Sequence, residues 1–175
     1  PENNPIKYVH RIDNVLFSHA GVAKNFVDLY VPKTKHDDVD TVLDYINNFG
    51  KMEMWYDGSP IWLRPQYTDV KMYKSQQFLQ VVGHTPMETI TKKKNVISCD
   101  VFSTYRDGKP IGTEEFLLLD TITWDYTLAQ KHHFILTLVQ EAEERRFWQD
   151  KINARKILPS DALGFHNTSN GSKTL

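Results

Sequence analysis

The chain has 175 residues, 40% of them hydrophobic and 25% charged, with a formal net charge of −1. That length allows one domain with a sizeable core, and the near-zero charge gives no basic field of the kind that draws nucleic acid or an anionic membrane. No apolar run approaches the ~20 residues of a membrane span, and the opening Pro1-Glu2-Asn3-Asn4-Pro5 has no charged-then-apolar signal pattern.

A single cysteine, Cys99, excludes an intramolecular disulfide and suits a reducing compartment, so a cytoplasmic location is expected. It lies in an apolar strand and reads as a buried, inert thiol. Asn167-Thr-Ser and Asn170-Gly-Ser match the glycosylation triplet by chance.

Residues 1–12 are polar and carry two prolines, which reads as the end of a helix or a linker; the bare proline start suggests a processed or truncated chain. Asn14-Val15-Leu16-Phe17-Ser18 is the first predicted strand, and His19-Ala20-Gly21 follows it. From Asp37 to Phe49 the apolar positions Val39, Val42, Leu43, Tyr45, Ile46 and Phe49 are spaced by three and four, which predicts a helix. Asp37, Asp38 and Asp40 crowd its first turn, where the helix dipole favours negative charge, and Gly50 reads as its C-terminal stop.

Asp57-Gly58-Ser59-Pro60 is a turn inside an aromatic stretch containing Trp55, Tyr56 and Trp62. In Trp62-Leu63-Arg64-Pro65 the arginine sits between an aromatic residue and a proline, and its planar fork suits a phosphate. Phe78-Leu79-Gln80-Val81-Val82 predicts a buried strand running into Gly83-His84-Thr85-Pro86, with Gly83 allowing a tight turn and Pro86 fixing the exit. Two strands each ending in a histidine beside a glycine suggest one metal or phosphate site built from two loops, at strand ends where α/β folds place ligands.

Thr91–Lys94 reads as a solvated basic turn and Asn95–Phe102 as a strand. Asp107-Gly108 predicts a hairpin whose return strand runs from about Glu115 to Ile122. From about Leu128 to Ile157, Ile135, Leu138, Val139, Ala142 and Phe147 recur at helical spacing among charged residues, predicting one long amphipathic helix that needs a surface to cover. His132-His133 fall on different helix faces and make a poor metal pair. Residues 159–175 read as a flexible tail.

Four stretches in order, "LFSHAGV", "IWLRP", "QVVGHTP" and "NVISCDVFS", resemble the second half of a calcineurin-like metallophosphoesterase. The nearest branch is the bacterial phosphoprotein-phosphatase type with its dinucleoside-tetraphosphatase relatives, and the resemblance covers roughly residues 13–121. It implies an α/β fold, half of a metallophosphoesterase β-sandwich flanked by helices, with the long C-terminal helix added. The domain limits then become 1–126 for the phosphoesterase part, 127–158 for the helix and 159–175 for the tail.

The resemblance implies hydrolysis of phosphoric esters, Ser/Thr protein phosphatase-like, with a divalent metal pair (Mn, Fe or Zn). His19 and His84 would be ligands of one ion and Arg64 would hold the substrate phosphate. The substrate would be a phosphoester, phosphoprotein or dinucleoside polyphosphate, with no nucleic acid or membrane partner. The three first-half signatures of such enzymes, Gly-Asp-x-His-Gly, Gly-Asp-x-x-Asp-Arg-Gly and Gly-Asn-His-Glu, do not occur. The expectation is therefore a chain with only trace activity alone, paired with a complementing N-terminal half or with itself. The alternative is a half-fold that binds a partner without catalysis. Two spatial expectations follow: His19 and His84 within about 5 Å of each other, and Arg64 facing the same cleft.

Overall fold

The computed structural model describes residues 6–156. The chain divides after Lys131 into two compact units.

The first unit is built on a five-stranded mixed sheet in the order β1-β2-β3-β5-β4, flanked by helices. Its strands are β1 (Val9–Ile12), β2 (Val15–Ser18), β3 (Leu79–Val82), β4 (Thr91–Lys93) and β5 (Val96–Ser98). β2, β3 and β5 run parallel; β1 and β4 are antiparallel edges. Ser18 pairs with Val82 and Val82 with Ser98, so the three parallel strands end level. The residues that follow them, His19, Gly83-His84 and Cys99-Asp100, therefore share one edge of the sheet.

Side chains alternate between the two faces, as the strand period requires. Leu16, Val82 and Val96 join Phe26, Val27, Val42, Leu43 and Ile46 from the helices in one core cluster. Val15, Leu79, Val81, Ile97 and Val101 form the other, against Leu117, Leu119 and Trp124. A strand covered on both faces reads as a continuous buried run, and all four residues of β3 are buried. The polar member, Gln80, is fully satisfied: its Oε1 accepts from Val22 N at 2.8 Å, and its Nε2 donates to Val22 O at 3.1 Å and Tyr73 O at 3.3 Å. β3 thereby grips the loop that carries His19.

Three α-helices lie between β2 and β3, α1 (Lys24–Tyr30), α2 (Val39–Asn47) and α3 (Lys51–Met54), with a short 3-10 helix (Lys33–Lys35) between the first two. Asp38 caps α2, its carboxylate accepting from Thr41 N at 3.3 Å, and Asp40 lies in the first turn paired with Arg11. The helix stops at Asn47; Gly50, expected as its stop, is the N-cap of α3 instead.

Several sequence expectations are corrected here. Residues 9–12 are a strand, not a linker: Asp13, at φ 47°, and Asn14 turn β1 back along β2. Thr91–Lys93 is an exposed edge strand rather than a turn, and the turn is at Lys94, φ 53°. Asp107-Gly108 closes a small turn with one bridge, Thr104 to Pro110. The return strand β6 (Glu115–Leu119) pairs with β7 (Tyr126–Gln130) in a separate two-stranded sheet. Asp120 ties the turn between them, accepting from the backbone N–H groups of Ile122 and Thr123.

β7 occupies the residues where the long helix was expected to begin. That helix, α4, runs from Lys131 to Lys156. At about 100° per residue, Leu138, Val139, Phe147 and Trp148 point to four different quarters of it. All four are exposed, so among the described residues these side chains do not share one stripe. The side chains of His132 and His133, the 159–175 segment and the Asn167 and Asn170 triplets lie outside the described residues. Among the described residues no helix is long and apolar enough to cross a membrane.

Candidate active site

The level ends of β2 and β3 bring two imidazoles together. His19 Nε2 lies 2.8 Å from His84 Nδ1, and the ring centroids are 4.7 Å apart at 65°. The residues are 65 apart in sequence, so the juxtaposition is made by the parallel strand pairing rather than by a local turn. Only one proton fits between the two nitrogens, so one donates and the other accepts.

The backbone of this edge departs from the sequence reading. Gly83 does not carry the left-handed turn; His84 does, at φ 62°. A Cβ on Gly83 would meet nothing nearer than His19 O at 3.7 Å. The left-handed position in the His19 loop is Gly21, at φ 109°, where a Cβ would meet Met72 Cε at 2.8 Å. A non-glycine residue held at positive φ is costly, and such residues gather at functional sites.

Burial lowers the pKa of His84 below the ordinary imidazole value, and the neighbouring charges of His19 and Arg64 push it the same way, against Asp100. The shift favours the neutral imidazole. Its Nε2 is shielded from solvent and has no hydrogen-bond partner among the described residues.

Arg64 is exposed, on the turn after buried Leu63, and close enough to depress His84 electrostatically. Its carbonyl accepts from Tyr67 N and Thr68 N, which closes the turn. Asp100, at the end of β5, was not singled out by sequence. Ser103 Oγ donates to its Oδ1 at 2.7 Å, and its charge reaches His84. The only signal that could have found it is its place after a third parallel strand. Cys99 beside it is half-buried, donates to Val82 O at 3.2 Å, and has its thiol pKa pushed up to about 11, first by burial and then by Asp100.

Whether these residues fit a metal pair can be tested on the donor set. Two imidazole nitrogens 2.8 Å apart can face one cation. No group of three or more His, Cys, Asp or Glu is placed to hold an ion among the described residues. A bridged pair needs carboxylates as well. The described residues alone do not fit a metal pair.

No protein family and no curated protein matches this sequence. The chain is similar in part to three solved structures, all of cold-active protein-tyrosine phosphatase. The enzyme of a psychrophile, Shewanella sp., is 18% identical with a TM-score of 0.44, covering 71% of this chain and 43% of that one. A structure of cold-active protein-tyrosine phosphatase at 1.1 Å is 17% identical with a TM-score of 0.38, covering 63% and 38%. The chain thus spans less than half the length of these structures. They are named as tyrosine phosphatases rather than as the Ser/Thr phosphatases or dinucleoside tetraphosphatases that the motifs resemble. At these identities and TM-scores, what the site does is read from its own residues.

Proposed function

We propose that this chain carries the imidazole and guanidinium part of a site that hydrolyses phosphate esters. The observation that carries the reading is the 2.8 Å approach of His19 Nε2 to His84 Nδ1 from two separate strand ends. Three things support it further: a cationic Arg64 on the neighbouring turn, a lowered pKa that favours neutral His84, and the order of the four phosphoesterase-like motifs.

Each residue has a chemical role in this reading. Arg64 binds two phosphate oxygens through its planar fork. His84 presents Nδ1 beside His19 Nε2, and a cation held there would take the place of the proton the two rings share. Metal dependence belongs to the same reading. Neutral imidazoles suit Fe or Zn, and the carboxylates that suit Mn and bridge a pair would come from outside the described residues. Ser/Thr phosphoprotein and dinucleoside polyphosphate substrates are both compatible with it.

The test is to express Pro1–Leu175, incubate it with Mn, measure retained metal, and assay 4-nitrophenyl phosphate. The assay is run on the chain alone and on the chain mixed with a polypeptide bearing the three first-half motifs. Turnover only in the mixture, abolished by His84→Ala, is the expected result. No metal, no turnover in either sample and a defined oligomer would overturn it in favour of a non-catalytic, partner-binding fold.

A further inference from the structure

We infer that Trp55 and Trp62 form a recognition platform for a planar aromatic group carried by the phosphate ester, set beside the His19–His84 pair. The inference rests on the phosphoester reading above and adds a substrate class to it.

The two indoles stack, with ring centroids 5.6 Å apart and 14° between planes. Trp62 also stands nearly perpendicular to His84, at 5.8 Å and 86°. The rings therefore run without a break from Trp55 through Trp62 and His84 to His19. Yet Trp55 is 68% exposed and Trp62 38%. On the helical side a second group of rings, Phe26, Tyr30, Phe49 and Tyr56, packs largely within itself. The stacked tryptophans instead pair with each other and with His84, at the sheet edge where His19 and His84 meet.

The platform is built to hold its position. Trp55 caps α3, its N–H reaching Lys51 O and Met52 O. Ser59 is fully buried, its Oγ donating to Met54 O at 2.9 Å, and Trp62 N donates to Ser59 O at 3.1 Å. Ala20 N donates to Pro60 O at 2.7 Å, which locks this turn to the residue after His19. Leu63 is buried between exposed Trp62 and exposed Arg64. One short loop thus presents both a phosphate-binding cation and an aromatic surface, fixed against the imidazoles.

Indoles held rigid and open bind flat rings well. They offer a large surface, lose little side-chain freedom, and accept any π-face. A phosphate ester whose other end is a flat ring would contact both parts of the loop at once; one ending in a short polyol or a serine would contact Arg64 alone. A ring esterified directly to phosphate would lie against Trp62. A nucleobase, one sugar further out, would reach Trp55.

The test is isothermal titration of Pro1–Leu175 with phenyl phosphate, adenosine 5′-monophosphate and glycerol 3-phosphate. At least one aromatic ester is expected to bind roughly tenfold tighter than glycerol 3-phosphate, the preference falling to about twofold or less in Trp55→Ala or Trp62→Ala. Trp55→Phe should retain most of it. A larger effect of Trp55→Ala on the nucleotide points to a nucleobase, and of Trp62→Ala on phenyl phosphate to a directly esterified ring. Equal binding of all three ligands, reduced by Arg64→Ala, would overturn the platform and leave the phosphoester reading standing. So would a preference that neither tryptophan variant changes, or variants that alter only self-association on size exclusion. Binding of none of the three would overturn both.

Discussion

After β2 the chain reads His19-Ala20-Gly21, and after β3 it reads Gly83-His84-Thr85. Both ends use a glycine and a histidine, yet they solve the turn differently. In the first, Gly21 takes the left-handed conformation, φ 109°, and His19 does not. In the second, the glycine is ordinary and His84 itself is left-handed, φ 62°. A left-handed non-glycine residue costs about 1–2 kcal/mol. The strain therefore falls on the imidazole that is also partly buried, has its pKa lowered, and keeps Nε2 shielded without a partner. The lesson is that the same residue types at two strand ends need not play the same parts: one histidine is set in place, the other is forced into place.

The largest effect should come from cutting what joins the two ends. Gln80→Leu leaves the Val22 N–H and the Tyr73 carbonyl without their partners in the core, and takes one of two donors from Val22 O, which keeps Tyr73 N at 2.9 Å. It should cost about 3 kcal/mol in urea unfolding. A loss below about 1 kcal/mol would mean that the two loops are not held through Gln80.

The glycines separate the two ends directly. Gly21→Ala meets both an unfavourable φ and the Met72 methyl at 2.8 Å, and should destabilise by about 2 kcal/mol. Gly83→Ala meets neither and should be neutral, or gain about 0.5 kcal/mol from the stiffer unfolded chain. Equal losses at the two positions would erase the contrast.

A third strand end, that of β5, gives the smallest effect. Cys99→Ser keeps a donor toward Val82 O and should change stability by less than about 1 kcal/mol at pH 7. The variant also isolates a pH effect. The folded thiol has its pKa raised from 9.0 to about 11, so folding favours the protonated form. Its contribution is intact below about pH 9 and is lost as pH rises through about 11. Wild type should weaken over that window more than Cys99→Ser does, as followed by circular dichroism. Parallel alkaline profiles would show that the buried thiol carries no such linkage.

The interior of the fold could be read from the sequence because interior strands are apolar on both faces. Val15-Leu16-Phe17 and Leu79 to Val82 say as much by themselves. The edges could not: β1 contains His10 and Arg11, β4 is Thr-Lys-Lys, and edge strands facing water keep polar side chains. β7 was hidden because Leu128 and Ala129 fit a helical spacing as readily as a strand, and the pairing with β6 that decides the matter is tertiary.

At the site, the repeated strand–histidine layout marked His19 and His84, and Trp-Leu-Arg-Pro marked Arg64. Gln80 was lost inside an apolar run because burial with complete hydrogen bonding leaves no mark on periodicity. Asp100 was missed because its place follows from the level ends of three parallel strands. The stacking of Trp55 on Trp62 depends on the turn at Asp57–Pro60 bringing residues seven apart face to face.

The account stands on His19 and His84 working as one unit in phosphoester hydrolysis. The direct measurement is kcat/KM for 4-nitrophenyl phosphate in the Mn-loaded mixture, for wild type, His19→Ala, His84→Ala and the double variant. Each single change should cost at least about 100-fold, and the double should lose no more than a few-fold beyond the worse single, because members of one unit are strongly non-additive. Losses that multiply, or turnover that His84→Ala leaves unchanged, would contradict it.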